Sequence, residues 1–182
     1  GSRTKVNPDV VQVALHPFLM SHRYRDTNGS LELRPTFQTN GLQGMTIIDV
    51  RDPLNPRRIG DIAGIGFITE IDLHEDTLYA TASTSFGTSY TVNAFEIGAD
   101  GMLELIDSRS TPMARRLQYE NGRVYLANAL DLTVYDANAL DKRVEHFAFL
   151  ATDKAANHVE VVGGVAYVAN DTELMAIDVS NP

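Results

Sequence analysis

Glu70, Arg116, His158 and Glu160, with Gln12 as an uncharged companion, are the residues of this sequence whose types and settings could do chemistry. Carboxylates and imidazoles can move protons, and a guanidinium can hold an anion through paired N–H donors. Each candidate interrupts a short apolar run: Val11-Gln12-Val13, Thr69-Glu70-Ile71, Arg115-Arg116-Leu117 and Val159-Glu160-Val161, with His158 directly before the last. In a strand, alternation turns such residues away from the packed faces. Gathered around one axis, Glu70, Arg116 and Glu160 would form a charged small-ligand site with His158 at its mouth. The competing expectation is a water-filled passage lined by structural ion pairs.

Other chemistries find less support. His16, His22, His74 and His146 show no HxH or HxxxH spacing with each other or with His158, so no metal site is expected. Asp26, Asn28, Ser30 and Glu32 place oxygens like the opening of a calcium loop. However, Leu31 stands where such a loop has glycine and Phe37 where it has a bidentate Glu, and an Asn28-Gly29 turn explains the segment as well. No nucleophile elbow, phosphate loop or dinucleotide fingerprint occurs, and no cofactor is expected.

The 182 residues contain no cysteine, which removes disulfides, thiol nucleophiles and thiolate metal ligands. The net charge of −9 repels phosphate backbones, so nucleic acid is not an expected partner. No apolar run approaches the roughly 20 residues that a membrane-spanning helix needs. Gly1-Ser2 has the form of a tag-removal scar, which leaves the question of a signal peptide open.

Positioning these residues requires a scaffold, and its period is readable. Met45-Thr46-Ile47-Ile48-Asp49, Val92-Asn93-Ala94-Phe95-Glu96, Leu132-Thr133-Val134-Tyr135-Asp136 and Leu174-Met175-Ala176-Ile177-Asp178 begin 47, 40 and 42 residues apart. Tyr79, Tyr125 and Tyr167 recur in step, at intervals of 46 and 42, and Glu75-Asp76, Asn121-Gly122 and Gly163-Gly164 precede them as turn signals. Repeats of this length mark an array of small units. Unit two reads as strands 67–73, 77–82, 90–97 and 102–107, and unit three as 113–119, 123–128, 131–136 and 143–149. Unit four reads as 157–162, 165–170 and 173–179, without its fourth strand. Unit one reads as 10–15, 18–24, 45–50 and 57–62, with an excursion through 25–43. Four short strands per unit and no convincing helix predict an all-β chain: a β-propeller of four-stranded antiparallel blades. Its blades fall near 10–62, 67–107, 113–149 and 157–182, the last incomplete, and the expectation is an arc of a larger ring.

The run Met45-Thr46-Ile47-Ile48-Asp49-Val50-Arg51-Asp52-Pro53-Leu54-Asn55-Pro56, continuing to Ile59-Gly60, resembles the LVIVD-repeat proteins, and Ala176-Ile177-Asp178-Val179-Ser180-Asn181-Pro182 fits the same pattern. Ile97-Gly98-Ala99-Asp100-Gly101 and Ala137-Asn138-Ala139-Leu140 lack its Asp-Pro-x-x-Pro turn, so the two middle units diverge in that loop. The resemblance implies a propeller, often from bacterial or archaeal exported or surface proteins, and no particular reaction. Asp49, Asp136 and Asp178 are expected to anchor the turns after their strands by accepting from backbone amides.

Two functional readings stand side by side. One is a non-catalytic binding, adhesion or scaffolding module, secreted or at the cell surface, that meets a protein or small-molecule ligand at the channel mouth or blade loops. The other is an enzyme whose polar site at the channel mouth uses Glu70, Arg116, His158 and Glu160. A further expected partner is the remainder of a larger propeller.

Overall fold

Asn121-Gly122 and Gly163-Gly164 each put two successive residues at positive φ, 49° and 79° in the first pair and 60° and 83° in the second. That is the twist a two-residue hairpin needs to keep its strands paired. The computed structural model describes residues 19–20, 23–25, 31–33, 36–39, 44–52, 54–83, 89–137, 144–152 and 154–181. Within them the chain is all strand and turn. No helix among the described residues is long and apolar enough to cross a membrane.

The strands, in chain order, are β1 (Leu19–Met20), β2 (Arg23–Arg25), β3 (Leu31–Leu33), β4 (Thr36–Thr39), β5 (Met45–Asp49), β6 (Arg57–Ile62), β7 (Phe67–His74), β8 (Thr77–Ser83), β9 (Tyr90–Ile97), β10 (Leu103–Thr111), β11 (Ala114–Glu120), β12 (Arg123–Asn128), β13 (Asp131–Ala137), β14 (Val144–Ala151), β15 (Ala156–Val162), β16 (Val165–Asn170) and β17 (Leu174–Asp178). They form antiparallel sheets of order β1-β4-β5-β6, β7-β8-β9-β10, β11-β12-β13-β14 and β15-β16-β17, with β2-β3 as a separate hairpin. These are the blades of a partial β-propeller, an arc that does not close among the described residues. Units two, three and four appear as read from the sequence.

Unit one departs from its reading. Residues 10–15 lie outside the described residues. The stretch 18–24 is not one strand: Leu19–Met20 joins the blade, whereas Arg23–Arg25 pairs with Leu31–Leu33. Thr36–Thr39, inside the supposed excursion, is the strand beside Met45–Asp49. The nearest segment able to fold back on β5 wins the pairing, because closing a short loop costs the least chain entropy. Of the calcium-like segment 26–32, residues 26–30 lie outside the described residues, and Leu31 and Glu32 belong to β3.

The core lies between blades rather than within any one of them. Met45 and Ile47 of blade one pack with Ile68, Ile71, Leu78 and Phe95 of blade two. Tyr79, Val92 and Ala94 of blade two pack with Leu117 and Leu126 of blade three. Tyr125, Leu132 and Val134 pack with Val159, Val161 and Val168 of blade four. Blades two, three and four also close alike: the N–H groups of Ile97, Ala137 and Val179 donate to the turn carbonyls of Asp76, Gly122 and Gly164 at 2.7, 2.8 and 2.8 Å.

Asp49 and Asp178 do anchor turns. Their Oδ1 atoms accept from the N–H groups of Arg51 and Ser180, both at 3.0 Å. The Arg51 guanidinium also grips both Asp49 oxygens, at 2.9 and 2.7 Å, and holds that carboxyl well below the usual carboxylate range. The Ser180 hydroxyl lowers Asp178 in the same direction. The loop after Asp136 begins at a residue outside the described ones.

Gly44 and Gly122 separate two costs. Both have positive φ, but a Cβ on Gly44 would lie 2.0 Å from the Ile62 carbonyl oxygen, and one on Gly122 would meet nothing nearer than 4.0 Å. Gly122→Ala should therefore cost about 1 kcal/mol, for backbone strain alone. Gly44→Ala should cost at least twice that, because the β5 and β6 backbones must part. Urea unfolding midpoints of the two variants test the ranking.

Candidate functional site

The inner strands β7, β11 and β15 carry the candidate residues, and cross-strand partners fix which positions correspond. Glu70 faces Thr81, Arg116 faces Ala127 and His158 faces Ala169. Two residues on, Asp72, Gln118 and Glu160 face Tyr79, Tyr125 and Tyr167. In each strand a bulge precedes the first of these levels, at Thr69, Arg115 and Asn157. A bulge kinks the strand and re-aims side chains, so three bulges in register give the arc a repeated bend near its axis.

Glu70, Arg116 and His158 occupy one level of the three inner strands, and Glu160 stands one pleat further along. The flanking apolar runs look alike, but the conserved spacing from each Tyr, not the run, sets the level. Gln12 lies outside the described residues.

At the first level Arg116 Nη1 lies 2.9 Å from Glu70 Oε2, joining blades two and three. The Glu70 side chain is 13% exposed and that of Arg116 46%. Burial raises the Glu70 pKa above its usual value, and the nearby guanidinium only partly offsets this. Arg116 Nη1 also donates to the Arg115 carbonyl at 3.2 Å. His158 is exposed.

At the second level the side chains tie blades together through backbone. Asp72 Oδ2 accepts from the Tyr119 N–H at 2.7 Å. One blade on, Gln118 Oε1 accepts from the Val161 N–H at 2.5 Å and its Nε2 donates to the Val161 carbonyl at 3.3 Å. The amide of Gln118 thus acts as a short extra strand residue between β11 and β15. Glu160, the third member, is exposed.

The bulge residues continue this logic. Thr69 Oγ1 reaches the Ala114 carbonyl at 3.4 Å, and Arg115 Nη1 donates to Asn157 Oδ1 at 2.7 Å. Asn157 Nδ2 in turn donates to Asp171 Oδ1 at 2.7 Å. Tyr119 lies between the His74 and Tyr79 rings, with centroids 4.0 and 5.3 Å away. Sequence reading missed Asp72, Gln118 and Tyr119; counting positions from the recurring Tyr would have found the first two. Among the described residues no group of three or more His, Asp or Glu could hold a metal ion.

Residues 153–182 match the LVIVD repeat. Blade one carries the same Asp-anchored turn at Asp49 as the matched segment has at Asp178. No curated protein matches the chain in sequence. Among solved structures, the chain is similar to a crystal structure provisionally assigned as a 6-phosphogluconolactonase from Bacteroides fragilis, with a TM-score of 0.60 and 14% identity over 74% of this chain. It spans 39% of that protein's length. At that identity the likeness shows the propeller fold alone.

Two substitutions separate the two levels. Gln118→Ala should destabilise by about 1–3 kcal/mol at every pH between 4 and 8, because it strands the Val161 N–H and carbonyl. Arg116→Met should cost about 1 kcal/mol at pH 7, kept small by the solvent around Arg116. That loss should shrink as pH falls, since protonating Glu70 removes the charge left unpaired. Denaturant melts of both variants at pH 7 and pH 4 measure the difference.

Proposed function

We propose that this chain is a non-catalytic binding or scaffolding propeller module, acting outside the cytoplasm and meeting a protein or small-molecule ligand at its channel mouth or blade loops. One observation carries the reading: Glu70, Arg116, Asp72 and Gln118 of the inner strands are committed to joining blades. Glu70 is held by Arg116, and Asp72 and Gln118 bind the backbone of the next strand. A catalytic acid or base needs a free face toward substrate, whereas these groups are already paired. The extracytoplasmic placement is supported by the likeness to LVIVD-repeat proteins, and the acidic charge of −9 speaks against nucleic acid.

The enzyme reading has one observation of its own. Burial raises the Glu70 pKa beside the Arg116 cation, the direction of shift that a proton-donating carboxyl needs. His158 and Glu160, exposed on the inner strand of blade four, would complete that site at the channel mouth.

Hydrolysis of 6-phosphogluconolactone, the reaction suggested by the similar fold, distinguishes the two. The expected result is a rate equal to that of buffer, unchanged in Glu70→Gln and His158→Ala. A saturable rate that falls at least tenfold in either variant would establish the enzyme instead.

A further inference from the structure

Asn121-Gly122 forms the tip of the hairpin between β11 and β12, and this dipeptide also has covalent chemistry of its own. The backbone nitrogen of a glycine, unhindered by a Cβ, can attack the carboxamide carbon of a preceding asparagine. The N–Cγ bond forms as the amide proton is lost to solvent base, the Cγ–Nδ2 bond breaks, and ammonia leaves behind a cyclic imide. Water then opens either imide carbonyl and gives aspartate or isoaspartate. Here Asn121 is exposed, and a Cβ built on Gly122 would meet nothing nearer than 4.0 Å, so solvent reaches the reacting atoms.

Three contacts oppose the first step. The Gly122 N–H donates to Tyr119 Oη at 3.0 Å, Asn121 Nδ2 donates to Glu120 Oε1 at 3.1 Å, and the Gly122 carbonyl accepts from the Ala137 N–H at 2.8 Å. Imide closure must turn the peptide plane between Asn121 and Gly122 until the nitrogen faces Cγ. That rotation withdraws the N–H from Tyr119 and takes the pair out of its positive-φ turn. We propose that Asn121 is a latent deamidation site, kept unreacted by the contact of blades two and three acting through the Tyr119 hydroxyl. The hydroxyl is in place because blade two holds its residue twice. Asp72 Oδ2 accepts the Tyr119 N–H at 2.7 Å, and the Tyr119 ring lies between those of His74 and Tyr79. Opening of that contact frees the nucleophile. The coupling runs the other way as well: isoaspartate puts an extra carbon into the main chain of the turn, breaks the pairing of Glu120 with Arg123 and loosens Tyr119 from blade two. The inference concerns chemical ageing at a blade contact and does not rest on the binding reading above.

Peptide mapping of aspartate and isoaspartate at position 121, during incubation at mildly alkaline pH, reads the reaction and separates it from Asn28, which also precedes a glycine. The whole chain is compared folded, unfolded in urea, and as Tyr119→Phe, which keeps the ring but removes the acceptor. The folded rate should lie far below the urea rate. In folded Tyr119→Phe it should rise roughly fivefold, the change in local opening that one hydrogen bond is worth. Asp72→Ala, acting from blade two, should raise it too. Hydrogen exchange at the Gly122 amide of the unsubstituted chain is a second readout that needs no variant, and slow exchange is expected. A folded rate equal to the urea rate, an unchanged rate in either variant, or fast exchange at Gly122 would overturn the proposal. So would an acceleration matched by equal loss of protection at Val124 and Leu126, which would assign it to unfolding of the whole strand.

Discussion

An inner strand of this arc has one edge in its own sheet and the other toward the axis, where no ladder supplies a partner for its N–H groups. A buried N–H left unpaired costs about 1–3 kcal/mol, so something must reach it. Asp72 does so for Tyr119 and Gln118 for Val161. The same contact that satisfies the edge also fixes how one blade stands on the next, because the acceptor belongs to one sheet and the donor to its neighbour.

The rest of the packing is arranged around that fixed distance. With Tyr119 held by its backbone, its ring is set against Tyr79 and His74. With Val161 held, its side chain enters the cluster around Tyr125 and Leu132. No blade has an adequate core alone, since an isolated small sheet leaves a whole apolar face in water; stability comes from stacking, as in other quasi-linear repeat arrays. The bulges at Thr69, Arg115 and Asn157 make the repetition geometrically uniform, so polar residues at one level differ in type while their strands superpose.

That arrangement bears on chemistry. A row of charged residues near a propeller axis invites a catalytic reading, and Glu70 with its raised pKa has the character of a proton donor. Its neighbours are engaged in holding blades together, and breaking those contacts to serve a substrate would loosen the arc. The exposed groups, His158 and Glu160, both belong to the inner strand of the fourth blade.

The repeat, the strands of the second, third and fourth blades and the turns at Asn121-Gly122 and Gly163-Gly164 are legible in the residues alone. These follow from local rules: positive φ favours Gly or Asn, and alternation of apolar residues fixes the strand. The anchoring of Asp49 and Asp178 was legible for the same reason, as each bonds an amide two residues away. Only the tertiary structure decided that Thr36–Thr39 pairs with β5, that Arg23–Arg25 leaves the blade, and that His158 rather than Glu160 shares the level of Glu70 and Arg116. Those outcomes depend on which segments meet across the sheet and between blades. Asp72 and Gln118 look like ordinary polar strand residues until the neighbouring blade brings an N–H within reach. Local spacing cannot encode that partner, because it lies 47 residues away for Asp72 and 43 for Gln118.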